Sequence, residues 1–129
     1  MISNLTKLNV ADNSGALIVE CIKVLGSARY AKIGDEIIAT VQKRHIDPTF
    51  IKHIKRPLKK GSIVRAIIIR TKRPLIRPNG LTIKFDENAV ILYSNKTENL
   101  FGSKIYGPVT RELRKWHFLK IVSLADKVV

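Results

Sequence analysis

Cysteine is nearly missing from this chain. Cys21 stands alone, which excludes an intramolecular disulfide and fits a reducing compartment. Aromatic residues make up 6%, too few for the ring platforms on which single-stranded nucleic acid is usually stacked. There is no run of eighteen apolar residues, so no membrane-spanning helix is expected. Met1-Ile2-Ser3-Asn4 offers neither an apolar signal core nor an Arg/Ser-rich presequence, and the expected site of action is the compartment of synthesis. Acids are also scarce, with ten Asp and Glu against 24 Lys and Arg, for a net charge of +14. No internal repeat or low-complexity tract is present.

Catalytic and metal-binding constellations are missing too. His45, His53 and His117 are the only imidazoles, without a second cysteine or a His-x-x-x-His pair, so zinc-ligand spacing is lacking. His45 and His53 are expected to extend a basic loop, and His117 to pack beside Trp116. The adjacent acids Asp35-Glu36 and Asp86-Glu87 point to opposite faces if they lie on strands, which favours turn or solvent roles over acid/base work. Ser14 lacks the Gly-x-Ser-x-Gly elbow, and Lys60-Gly61-Ser62 runs in the wrong order for a phosphate loop. The expectation is a non-enzyme with no cofactor and no metal.

What is present is a core and a charge cluster. The 129 residues are 45% hydrophobic, enough for one domain that buries roughly two-thirds of its unfolded surface. Strands are expected at Leu5 to Val10, Ala16 to Leu25, Asp35 to Val41, Ser62 to Thr71 and Asn88 to Tyr93. In the second, each face carries a single polar residue, as in a strand covered on both sides. Asp12-Asn13-Ser14-Gly15 is a turn, and Pro78-Asn79-Gly80 is the tip of a hairpin over Pro74 to Phe85. Gln42 to Pro57 has no clean period and is expected as an extended loop or ribbon. Thr110 is the expected N-cap of a short helix over Arg111 to Arg114. A second helix over Phe118 to Ala125 is expected to bury Leu119, Val122 and Ala125. This order, short strands with close turns and then a small helical tail, predicts a mainly β, compact antiparallel barrel, with the barrel over residues 1–95 and the short helices over 105–125 of a single domain.

Between Lys43 and Arg77 lie Lys43, Arg44, Lys52, Lys55, Arg56, Lys59, Lys60, Arg65, Arg70, Lys72, Arg73 and Arg77, with Asp47 the only acid. Eleven of the fourteen net charges thus fall within 35 residues. A fold gains nothing from such self-repulsion, so a polyanionic partner is implied, and nucleic acid is the obvious one. Arginines at the ends of rigid strands match phosphate oxygens bidentately. With Phe50 the only ring in the cluster, the expected mode is recognition of the shape and backbone of folded RNA or a duplex. Two other classes fit the same features: a barrel-type RNA-binding regulator acting alone, and a small enzyme acting on RNA, which the missing acid/base constellation opposes.

Ala66-Ile67-Ile68-Ile69, a nine-residue gap, Asn79-Gly80, then Phe85 and Asn88 resemble the signature of the universal large-subunit ribosomal protein fourteen family, of bacterial and organellar type. Leu8-Asn9-Val10-Ala11-Asp12-Asn13-Ser14-Gly15-Ala16 and Gly107-Pro108-Val109-Thr110-Arg111-Glu112-Leu113 agree in register. The resemblance implies a five-stranded β-barrel with a projecting β-ribbon and short C-terminal helices. It implies a structural role on large-subunit ribosomal RNA, near a bridge to small-subunit RNA and beside a neighbouring large-subunit protein. Carried onto matching positions, the RNA-facing residues are Asn13, Lys59, Lys60, Arg70, Lys72, Arg73 and Arg77, and the basic cluster adds Lys43, Arg44, Lys52, Lys55 and Arg56. A ribosome-silencing factor, present for some members, matches Ser103, Lys104 and Lys120. Leu17-Ile18 stand where the family often has basic residues, and Ile91 closes the signature in place of Val. The segment from Lys43 to Pro57 is longer and more basic than the family norm and is expected to reach RNA or a protein that shorter loops do not. An Ile- and Lys-rich chain with these departures resembles an organelle-encoded copy, and a mitochondrial ribosome is favoured over a bacterial or plastid one.

Overall fold

The computed structural model describes residues 2–26, 29–44, 59–94, 100–115 and 119–129. Most of the basic segment from Lys43 to Pro57, with Lys52, Lys55, Arg56, His45 and His53, lies outside these residues, as do Trp116 and His117. Among the described residues, nine strands and two short helices follow in chain order: β1 (Lys7–Val10), β2 (Ala16–Val24), β3 (Glu36–Arg44), β4 (Ile63–Arg70), β5 (Leu75–Ile76), β6 (Thr82–Ile83), β7 (Ala89–Tyr93), β8 (Ile105–Val109), α1 (Glu112–Lys115), α2 (Leu119–Leu124) and β9 (Ala125–Val128).

Strands β1, β2, β3, β4 and β7 close into a barrel in that order. Strands that alternate in direction around a ring can do so at every seam only if their number is even. With five, one seam must be parallel, and it is β1 against β7, with Asn9 opposite Ala89 and Val10 opposite Val90. The other four seams are antiparallel. The expected five-stranded barrel is therefore present, and β5–β6 forms a separate two-stranded ribbon. Gly80, at φ +87°, supplies the left-handed backbone that the ribbon's tip requires.

Two apolar cores share one wall. Inside the barrel, Leu8, Val19, Cys21, Ile37, Val41, Ala66, Ile68, Val90 and Leu92 pack together. Outside it, Ile67 and Ile69 of β4 and Ala89, Ile91 and Tyr93 of β7 meet Ile105, Val109, Leu113, Ile121 and Val122 from the C-terminal layer. This two-sided cover explains why β4 reads as a continuous apolar run and why every residue of β7 is buried. Among the described residues, nothing covers the outer side of β2 in the same way. Leu17 and Ile22 of β2 are exposed while Val19 and Cys21 point inward, which corrects the expectation that β2 is covered on both sides.

The ends of the chain differ from expectation in four places. Leu5 takes φ +69° and is largely exposed, so β1 begins after it, at Lys7. The segments Ile105–Val109 and Ala125–Val128, unassigned or helical in the sequence reading, pair as a parallel two-stranded sheet. The second helix buries Ile121 and Val122 and leaves Leu119 exposed, because the β9 pairing fixes its rotation. Thr110 is fully buried and its hydroxyl has no partner among the described residues, so it does not cap α1 through its side chain.

Candidate nucleic-acid interface

Barrel topology sorts the basic residues by end. The antiparallel seams, with the single parallel one, place the end of β1, the start of β2, the end of β3, the start of β4 and the end of β7 together. Lys43 and Arg44 finish β3, opposite Ile18 and Ala16. The turn carrying Lys59 and Lys60 is tied to the same place, because Gly61 N donates to Val41 O at 2.8 Å and Val41 N to Ser62 O at 3.0 Å. All four side chains are exposed.

The Asp12–Gly15 turn sits at this same end and is rigidly built. The Asp12 carboxylate accepts from Ser14 N at 3.0 Å, Ser14 Oγ at 2.5 Å and Leu92 N at 3.1 Å. Burial pushes this carboxyl up despite those donors. Asn13 then latches the segment before β8. Its Oδ1 accepts from Ser103 N at 2.7 Å and Lys104 N at 3.1 Å, and its Nδ2 donates to Ser103 Oγ at 3.0 Å. That latch brings exposed Lys104 to the basic end. Among the described residues, the barrel strands and turns here present no exposed acid, since Asp12 is buried; Asp126, on β9, belongs to the C-terminal layer.

The opposite end is electrically mixed. Lys72 and Arg73 follow β4 and are exposed. They stand about 26 Å from Lys60 along the eight residues of β4. Asp35, Glu36, Asp86 and Glu87 lie at this end as well. Lys72 N donates to Asn88 Oδ1 at 2.8 Å, which fixes the turn after the strand. The basic residues that cluster in the sequence thus form two groups among the described residues.

Arg70 and Arg77 are not on either face. A β-bulge between Ile68 and Arg70 turns Arg70 out of the alternating row toward the C-terminal layer. There its Nη1 donates to Tyr106 O at 2.8 Å and Pro108 O at 3.0 Å, and Nη2 to Glu87 Oε1 at 2.9 Å. Its exposure is 5%. Arg77, from the ribbon, donates through Nε to Glu112 Oε1 at 2.6 Å and through Nη2 to Glu112 Oε2 at 3.1 Å and the Val129 oxygen at 2.5 Å. Burial works against the Glu112 carboxylate, yet the Arg77 hydrogen bonds win and hold it below its ordinary range. Both guanidiniums are therefore occupied by acceptors of the chain itself, where the sequence reading expected them to face RNA; buried carbonyls and carboxylates compete with phosphate for the same donors.

Arg70 also explains Gly107. It has φ +82°, and a Cβ there would lie 2.5 Å from Arg70 Nη1, so only glycine lets the guanidinium reach the carbonyls on either side. Ser103 and Lys104 lead into β8, and Lys120 is exposed on α2 just before β9, which pairs with β8 from Ile105 and Ala125. All three expected partner-contacting positions thus belong to the C-terminal layer and its approach.

No group of three or more His, Cys, Asp or Glu among the described residues could hold a metal. Cys21 is buried inside the barrel, and burial pushes its thiol up, leaving it unreactive. Lys104 is the cation that sequence reading assigned elsewhere. Its place at the basic end depends on the Asn13 latch across some ninety residues, a link with no linear signal. Compared with known families, residues 1–129 are matched by the family model described as ribosomal protein L14p/L23e.

Proposed function

The chain belongs to the ribosomal protein L14p/L23e family and is a protein of the large ribosomal subunit, and from that premise we propose that it grips large-subunit ribosomal RNA by the basic end of its barrel. The observation that supports this most directly is the convergence of Lys43, Arg44, Lys59, Lys60 and Lys104 at one end without an exposed acid on the same strands and turns. Strand ends and tight turns hold the cations in fixed relation, and fixed cations favour a fixed phosphate array such as that of folded RNA. Lys52, Lys55 and Arg56, which lie outside the described residues, are included in the proposed contact on the strength of their charge in the sequence alone. Lys72 and Arg73 form a second contact beyond the other end. Family membership places the protein's partners in the ribosome.

The same proposal includes a position near the bridge to small-subunit RNA, a neighbouring large-subunit protein, and docking of a silencing factor at Ser103, Lys104 and Lys120. It also includes a mitochondrial ribosome, on the strength of the Ile- and Lys-rich composition and the long basic segment.

The test is equilibrium binding of large-subunit RNA across a salt series. If six to ten phosphates are neutralised, affinity falls roughly 10³–10⁵-fold between 50 and 200 mM salt. A slope of only one or two ions defeats the proposal and leaves a protein held mainly by other proteins.

A further inference from the structure

Beside the ribbon lies a groove of about 280 Å³, whose apolar lining comes from Ala31, Ile33, Pro74, Leu75 and Ile76. Lys32 and Arg73 complete it together with Thr71, and both cations are exposed. No acid lines it. The nearest carboxylate in sequence, Asp35, accepts from Lys32 N at 2.9 Å and so closes its own turn. Ile76 is 77% exposed, an apolar side chain left in water at the side of an apolar slot.

We propose that this groove receives a single unstacked nucleotide of the bound RNA, its base against the aliphatic lining and its phosphate between Lys32 and Arg73. The inference rests on the RNA-binding reading above and adds to it a site and an occupant. Size supports it, because the groove falls below the roughly 300–1,000 Å³ of sites for drug-sized ligands and suits one base with its sugar. Chemistry supports it, because sequence-specific RNA recognition targets bases that are splayed out and stacked on guanidinium planes, and apolar side chains flank an extruded base. Charge supports it, because an apolar slot with two cations and no acid matches a flat apolar group carrying an anion. Thr71 is held by its own bond to Arg73 O at 3.0 Å, which fixes the backbone from which Arg73 projects. Ile76 gains the cover it otherwise lacks.

The experiment compares two RNA hairpins that differ only in one bulged, unpaired adenosine. Wild-type protein is expected to prefer the bulged hairpin by about five-fold or more, the effect of gaining one stacked base. Ile76→Asp, at a solvent-exposed position, and Lys32→Ala should each erase that preference while leaving affinity for the fully paired hairpin within about two-fold of wild type if Lys60 and its neighbours carry most phosphate contacts. The double replacement of Lys59 and Lys60 by alanine should weaken both hairpins equally. Equal wild-type affinity for the two hairpins with a steep salt slope overturns the groove and spares the RNA reading. A preference that survives both groove variants also overturns it. Failure of either hairpin to bind at about 50 mM salt overturns both. A short Asp-Phe-Asp peptide that shifts the Ile33 and Leu75 methyl resonances, with no bulge preference in the RNA arm, overturns it in favour of a protein partner.

Discussion

Arg70→Ala should strike the fold before it strikes RNA binding. The guanidinium bridges three acceptors, two of them main-chain carbonyls at Tyr106 and Pro108 that belong to β8. Hydrogen bonds to a charged donor contribute about 1.5–3 kcal/mol each. The Glu87 bond adds little, because that carboxylate is 44% exposed and water replaces the lost donor. Two carbonyl bonds taken together set the loss at about 3–5 kcal/mol, the range found when one partner of a buried charged set is removed. That is a large share of the roughly 5–15 kcal/mol that holds a domain together. In urea, with a slope of about 2 kcal/mol per molar for a chain of this size, the midpoint should fall by roughly 2 M. Arg70→Lys keeps the charge but lacks the planar fork that sets Nη1 on both carbonyls while Nη2 meets Glu87, so its midpoint should lie between the two. If Arg70→Ala unfolds at the wild-type urea concentration yet loses RNA affinity, the guanidinium faces outward in solution and the placement against β8 is wrong.

Leu5→Gly should raise stability by about 1 kcal/mol, since the residue holds φ +69° with its side chain 76% exposed; thermal unfolding reads it, and a fall would show that Leu5 buries itself elsewhere. Asp12 binds its proton more tightly folded than its ordinary 3.8 allows. Its contribution is therefore full below that value and is lost as pH rises through the raised one. Comparing stability–pH profiles of wild type and Asp12→Asn should show that decline in wild type alone. Glu112 has the opposite sign, because its lowered carboxyl stabilises above 4.5 and loses that contribution as pH falls through the depressed value. Arg77→Ala should flatten this acid limb, and an unchanged profile would detach the ribbon from α1. Replacing Lys43 and Arg44 together by alanine should reduce the salt slope of RNA binding by about two with an unchanged urea midpoint; an unchanged slope would remove this end from the interface.

Much of the barrel was legible because its strands carry their burial in their spacing. β4 reads as two apolar rows, and the Asn79-Gly80 pair announces the ribbon. The C-terminal layer was not legible, because β8 contains Gly107 and Pro108, neither a strand former, and β9 gains its hydrogen bonds only from a parallel partner some twenty residues earlier. At the candidate site, Lys43, Arg44, Lys59 and Lys60 of the charge run are exposed cations. Arg70 and Arg77 look the same in sequence as those four. What separates them is a bulge and two acids, Glu87 and Glu112, whose proximity only the fold creates. Leu17 and Ile18 break the basic pattern on the outer wall next to Lys43, and nothing in the linear sequence shows that β2 lacks a cover there.

The parallel seam sets a clock on synthesis. Val10 meets Val90, so β1 must wait for eighty further residues before its second neighbour exists. At translation rates of about 5–20 residues per second that delay is about 4–16 s. Once β4 is complete at Arg70, and until β7 arrives, the sheet of β1 to β4 has two raw edges and an uncovered apolar face, the condition under which strands recruit the wrong partner. The outer layer cannot shorten the wait, because its own foundation is the wall of β4 and β7, and the second half of that wall arrives last. Barrel closure and layer docking thus become late, consecutive events, and a nascent chain paused before Ala89 should be the form most dependent on a holding chaperone.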